Sequence, residues 1–191
     1  MDNVLGILIG VGLAAACGFR VFVPLLVMGA AARLGWFDPS PGFAWLAATP
    51  ALVAFGAATA LEVLAAHVPW VDHALDVVAA PLAVGAGALT MAGALGEASP
   101  LLRWSLALIA GGGTAGLFHG LNAMLRVGST ATTAGFGNPV LATMETAGSF
   151  VLAAIAVLVP LAGVAVGILV AALIVRQRRR HRATAAGRTL A

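Results

Sequence analysis

Pro139-Val-Leu-Ala-Thr-Met-Glu145-Thr-Ala-Gly-Ser-Phe-Val-Leu-Ala-Ala-Ile-Ala-Val-Leu158 is a run of twenty residues with a single charge. As a helix rising about 1.5 Å per residue it would be roughly 30 Å long, the thickness of a bilayer's hydrocarbon core. Its apolar residues occupy every side rather than one stripe, so apolar surroundings are expected all round. Glu145 is the exception: an ionisable group at that depth costs at least about 2.5 kcal/mol and needs a physical reason to be there.

Moving outward, the same character repeats. Further apolar segments lie at about 4–32, 44–67, 74–96, 101–125 and 160–176, which with 139–158 makes six. Across the 191 residues, 61% are apolar and 9% charged, against about 25% charged in an ordinary soluble domain. The reading is an all-α polytopic membrane protein of about six transmembrane helices with no soluble domain: one helical domain over 1–176 and a basic tail over 177–191. Val159-Pro160 divides the last two segments and predicts a tight hairpin. A second tight turn is expected at His67-Val-Pro-Trp-Val-Asp72.

Arginine placement sets the expected topology. Six of the ten arginines lie at Arg176, Arg178, Arg179, Arg180, Arg182 and Arg188. A basic segment following an apolar helix reads as a cytoplasmic anchor. With six spans, both termini would then be cytoplasmic, in the inner membrane of a bacterium. Trp36, Trp45 and Trp104 would mark the outer interface and Trp70 the inner one. The tail could also touch anionic headgroups, while nucleic acid is not an expected partner. Cys17, the only cysteine, excludes an internal disulfide. The stretch Leu13-Ala-Ala-Ala-Cys17 lacks the positive flank of a lipoprotein signal.

The halves 1–98 and 99–176 echo each other. Arg33-Leu-Gly35 answers Arg126-Val-Gly128, and Thr49-Pro50 with Val68-Pro69 answers Asn138-Pro139 with Val159-Pro160. Three spans per half would make this a 3+3 inverted repeat, a common transporter plan. Gly18-Phe-Arg20 with Pro24 would interrupt the first helix, and Gly111-Gly-Gly113 the fourth. Interruptions at corresponding places point to a transport site, although glycines also simply allow close helix contact.

Counting from the helix ends puts Glu62 and Glu145 at one depth, roughly 8–9 Å from the cytoplasmic side. Asp76, His119, Asn122 and Asn138 gather toward that level, giving a candidate ion- or substrate-binding vestibule. Arg20, Asp72 and Arg126 are structural or gating candidates. Asp72 and Asn138 read equally as helix N-caps, and the glutamates as partners of Arg20 or Arg126. His67, Asp72, His73 and Asp76 are weak metal candidates, matching no standard spacing. The stretch Gly128–Gly137 reads as a polar glycine-rich loop able to gate or to bind an anion. No hydrolase, zinc-protease or nucleotide-binding motif is present, and no cofactor is expected.

Gly18-Phe-Arg-Val-Phe-Val-Pro24, Leu61-Glu-Val-Leu-Ala-Ala-His-Val-Pro-Trp-Val-Asp-His-Ala-Leu-Asp76 and Ser129-Thr-Ala-Thr-Thr-Ala-Gly-Phe-Gly-Asn-Pro139 resemble a bacterial integral-membrane family catalogued as domain of unknown function 4126. The likeness runs from the first helix to about residue 175. It implies a compact multi-helix membrane fold and weight on Glu62, Pro69, Asp72, Asn138 and Pro139. An acidic pair is implied near Glu145, where this chain has Thr146 as the second member. It implies no activity.

The functional expectation is a small channel or secondary transporter for a cation, a proton or a cation-coupled solute, working as a homo-oligomer, a dimer in the first instance. A non-transporting scaffold or assembly factor is the alternative, and an intramembrane lipid enzyme the second.

Overall fold

The computed structural model describes residues 3–36, 38–66 and 69–158, with the side chains of Asn3 and of 69–77 set aside. The described residues are helical, with no strand among them. The segment expected at 160–176 and the basic tail lie outside the described residues, as do His67 and the side chains of Asp72, His73 and Asp76.

The first apolar segment does not cross as one helix. It forms α1 (Asn3–Cys17) and α2 (Phe22–Arg33), joined by a turn at Gly18–Val21. Pro24 explains the break, because its ring would clash with the carbonyl of Arg20 in a continuous helix and it has no N–H to give that carbonyl. In the first turn of α2 the missing N–H costs nothing. The contacts of the two helices show the direction of the break. Gly6 and Gly10 of α1 lie against Ala94 and Met91, while Met28, past the middle of α2, lies against Gly93, and Ser40 beyond α2 bonds the Ala92 and Gly93 carbonyls. Both open ends of the pair are therefore at the same end of the bundle. The segment is a hairpin whose tip, Gly18–Val21, points into the protein.

The remaining helices run back and forth beside this hairpin. They are α3 (Thr49–Ala65), α4 (Pro69–Ala94), α5 (Pro100–Leu106), α6 (Gly113–Thr133) and α7 (Asn138–Leu158). A short 3₁₀ turn, Ala44–Ala47, precedes α3. Arg33 bonds Thr49 and the Ala47 carbonyl, so α3 starts where α2 ends and descends toward the hairpin tip. Between α5 and α6 lies a π-helical segment, Ala107–Gly112, and the three form one continuous rod, Pro100–Thr133.

The triple glycine thus does not break the fourth segment. It adds a π-helical stretch where the rod crosses α4, and π segments of this kind often mark strained or functional places. A Cβ at Gly111 would lie 2.5 Å from the Gly87 carbonyl oxygen, and one at Gly87 only 2.7 Å from that of Gly111. Only glycine on both sides permits this approach. The first apolar segment is thus a hairpin and the fourth a continuous rod.

The loop expected over 128–137 is also much shorter. Helix α6 runs to Thr133, and the turn occupies only 134–137, with Ala134 and Gly135 at φ 52° and 89°. Thr132 and Thr133 keep the end of the helix intact by bonding back to the Gly128 and Ser129 carbonyls.

Among the described residues two helices are long and apolar enough to cross a membrane, Pro100–Thr133 and Asn138–Leu158. Their most apolar windows are only 22% and 33% buried, so most of each helix faces away from the bundle. Leu108, Ile109, Leu117, Met124, Val140 and Met144 are among the large side chains left on the outside. Surfaces of this extent and character mark contact with lipid or with partners.

Candidate functional site

The hairpin tip is held by charge. Arg20 and Glu145 are 5% and 4% exposed. Arg126 grips Glu145 with both arms of its guanidinium, Nε to Oε1 at 2.9 Å and Nη2 to Oε2 at 2.6 Å. Arg20 approaches the same carboxylate from the hairpin, Nη2 to Oε2 at 3.3 Å. Its Nη2 also donates to the Ala142 carbonyl at 2.9 Å, and its Nε to the Thr146 hydroxyl at 3.1 Å. Thr146 therefore receives the arginine in a way a second carboxylate would receive it by charge. One turn further along α7, Ser149 donates to the Ala16 carbonyl near the end of α1. Forked arginine–carboxylate bonds are among the strongest available, and this set ties α1, the tip, α6 and α7 into one unit.

Glu62 is used differently. It reaches from α3 to the break, where its two oxygens accept the backbone N–H groups of Val21 and Phe22 at 2.8 and 3.2 Å. These are amides that the start of a helix leaves without an intrahelical partner. A carboxylate suits them on two counts, as an acceptor and as a negative charge at the positive end of α2. Glu62 has no ion-pair partner among the described residues. Arg20 and Glu145 are near enough to act on it electrostatically, but the Arg20 guanidinium is turned to α7.

Between these two arrangements is a cavity of about 60 Å³, room for on the order of four waters. Arg20, Glu62, His119, Asn122 and Arg126 line it together with Cys17. Asn122 is 8% exposed, and neither its amide nor the His119 ring has a hydrogen-bond partner among the described residues. Both side chains border the cavity, so water or a ligand there is their natural complement. On the other side of Glu62 lies a much larger groove, about 450 Å³, between the start of α2 and the faces of α3 and α4.

The structure thus brings together Glu62, Glu145, His119 and Asn122, which counting along the helices puts near one level, and adds Arg126 and Arg20 to them. Arg20 arrives there only because the hairpin folds back; a single first span would leave it apart from the others. Asn138 does not join them. Its amide bonds Thr130 at 3.0 Å across the α6–α7 turn, a role local to that turn. Asp72 and Asp76 fall in the first two turns of α4, and the metal expectation on His67, Asp72, His73 and Asp76 lies outside the described side chains. Among the described residues no group of three or more His, Cys, Asp or Glu could hold a metal. Sequence reasoning missed Cys17 as a wall of the cavity and the amides of Val21 and Phe22 as the partners of Glu62.

The chain belongs to the family described as domain of unknown function 4126, whose model matches residues 7–180. No curated protein and no solved structure matches it.

Proposed function

We propose that this protein is a small multi-pass transport protein, with Glu62 at the tip of the amino-terminal hairpin as its cation- or proton-binding group. The observation that carries the reading is the state of that carboxylate. It lies within an apolar helical bundle, it has no cationic partner among the described residues, and it borders a polar cavity. An ionisable group so placed in a membrane marks an ion or substrate pathway more often than a structural contact. Interrupted helices are the usual carriers of such sites, because the break frees backbone groups to act at depth. His119 and Asn122 complete the site with a donor and acceptor set that no other part of the described chain uses.

In this reading Glu145 is not an ion ligand. Two arginines already occupy it, and it serves as the lock that holds the hairpin tip against α6 and α7. The same saturation favours the second reading, a non-transporting scaffold in which the charges only fix helix register.

Topology is part of the proposal. If 160–176 crosses the bilayer as its hydropathy predicts, the basic tail and the hairpin tip share the cytoplasmic side. Asn3 and Arg33 then face outward together. This reading places the amino terminus outside, where counting the first segment as one crossing places it in the cytoplasm.

The test is flux into proteoliposomes, followed with an enclosed pH dye and then with a panel of monovalent cations. Wild type should dissipate an imposed gradient, and Glu62→Gln should not, at equal reconstituted amounts of folded protein. Absence of flux in wild type under every gradient would sink the transport reading and favour the scaffold.

A further inference from the structure

Glu62 borders two spaces, the small cavity where Arg20, His119, Asn122 and Arg126 meet and the apolar groove between α2, α3 and α4. Phe22, Leu61, Val78 and Leu82 shape the groove, and Glu62 is the one polar side chain among the described residues that line it. Its walls are open to the surroundings: Leu61, Val78 and Leu82 are all exposed. At about 450 Å³ it lies within the range of small-molecule pockets, about 300–1,000 Å³.

From this juxtaposition we infer that the site takes an amphiphilic amine, with its ammonium group on Glu62 and its hydrocarbon tail along the groove. This inference rests on the reading of Glu62 as the binding group and names the class of its substrate. Three observations select the class. A carboxylate offers about four lone-pair positions, and the Val21 and Phe22 amides take two. The free positions accept hydrogen bonds and favour a positive donor, so an ammonium fits where a carboxylate or phosphate headgroup would be repelled. Beyond Glu62 the cavity's 60 Å³ and the unpartnered His119 and Asn122 leave room for a small polar head with its water, but not for a bulky one. Finally, the groove opens sideways toward the apolar exterior, so an apolar tail can enter from the bilayer without crossing a polar layer.

The experiment is saturable binding of radiolabelled dodecylamine to the full chain in nanodiscs of neutral phospholipid, with empty nanodiscs subtracted. Dodecanol and dodecanoate of the same chain length serve as competitors. The expected result is a saturable site near one per chain that neither competitor displaces at equal concentration. Glu62→Gln should weaken it at least about tenfold, the scale of a lost charge-assisted hydrogen bond. Leu82→Trp, which fills the groove and leaves Glu62 and its amide partners untouched, should abolish it and guards against a folding defect in the first variant. No saturable binding, equal binding in Leu82→Trp, or displacement by dodecanoate would each overturn the inference. The last two outcomes would point respectively to an occupied groove, for instance by the chain's own 160–176 segment, and to a site that selects tails rather than charge. Flux of protons or inorganic cations that depends on Glu62 in a protein that binds no dodecylamine would sink the amphiphile and leave the transport reading standing.

Discussion

Glu62 and Glu145 are two carboxylates at one depth with opposite surroundings. Glu145 is nearly sealed from solvent and is held by a forked arginine and a second arginine beside it. Glu62 is only half-buried and is bonded by two backbone amides and no described cation. The pairing at Glu145 stabilises a single arrangement of helices. The arrangement at Glu62 leaves bonding capacity unspent beside a cavity, which is the condition for an exchangeable partner. Equal residue type and equal depth therefore do not imply equal function; the number of bonds already made separates lock from site.

That contrast predicts a graded series of effects. Glu145→Gln leaves the buried Arg20 guanidinium and the half-buried Arg126 guanidinium beside a neutral amide, and removal of one member of a buried ion pair costs about 3–5 kcal/mol. The melting midpoint in detergent should drop further for this variant than for any other in the series, and a midpoint within a degree of wild type would break the comparison. Gly87→Leu comes next. Its side chain would have to enter the space now filled by the Gly111 carbonyl and the Ala115 side chain, and overpacking of this kind costs about 1–3 kcal/mol. The same melt would register it.

Glu62→Gln should cost less. The amide keeps one oxygen for Val21 or Phe22, so the loss is one charge-assisted hydrogen bond, about 1.5 kcal/mol at the low end of such bonds. Flux, in contrast, should vanish. A large loss of stability together with retained flux would invert the assignment of the two carboxylates. Asn122→Leu should do least to stability, with a midpoint close to wild type, because the amide borders the cavity and has no bond to a described residue to lose. A fall of the size expected for Glu145→Gln would show instead that Asn122 holds the fold.

Much of this was legible in the residues, and the limits have physical reasons. Hydropathy located the helices, since twenty apolar residues with one charge can hardly be anything else, and the 139–158 expectation falls within one residue of α7. It could not show the hairpin. The mainly apolar stretch of twenty-nine residues from 4 to 32 satisfies lipid whether it crosses once or folds back, and Gly18 with Pro24 announces an interruption without its angle. The error in direction then hid the role of Arg20, which only a returning chain carries to Glu145. Counting from helix ends did place Glu62 and Glu145 together, because rise per residue is nearly constant. The partner of Glu62 left no mark, as backbone amides forty residues away have no side-chain signature. Propensity alone reads Ser129–Thr133 as loop, whereas Thr132 and Thr133 bond their own helix and hold it.

The central claim is that the space between Glu62, His119 and Asn122 exchanges with water, and one accessibility measurement addresses it directly. Asn122→Cys in a Cys17→Ser background, in sealed membranes of known orientation, would be treated with a small, charged, membrane-impermeant thiosulfonate from each side in turn. The account predicts modification from the side that carries the hairpin tip and not from the side that carries Asn3 and Arg33. Failure to react from either side, in a protein that melts like wild type, would contradict it and mark the cavity as a sealed feature of a scaffold.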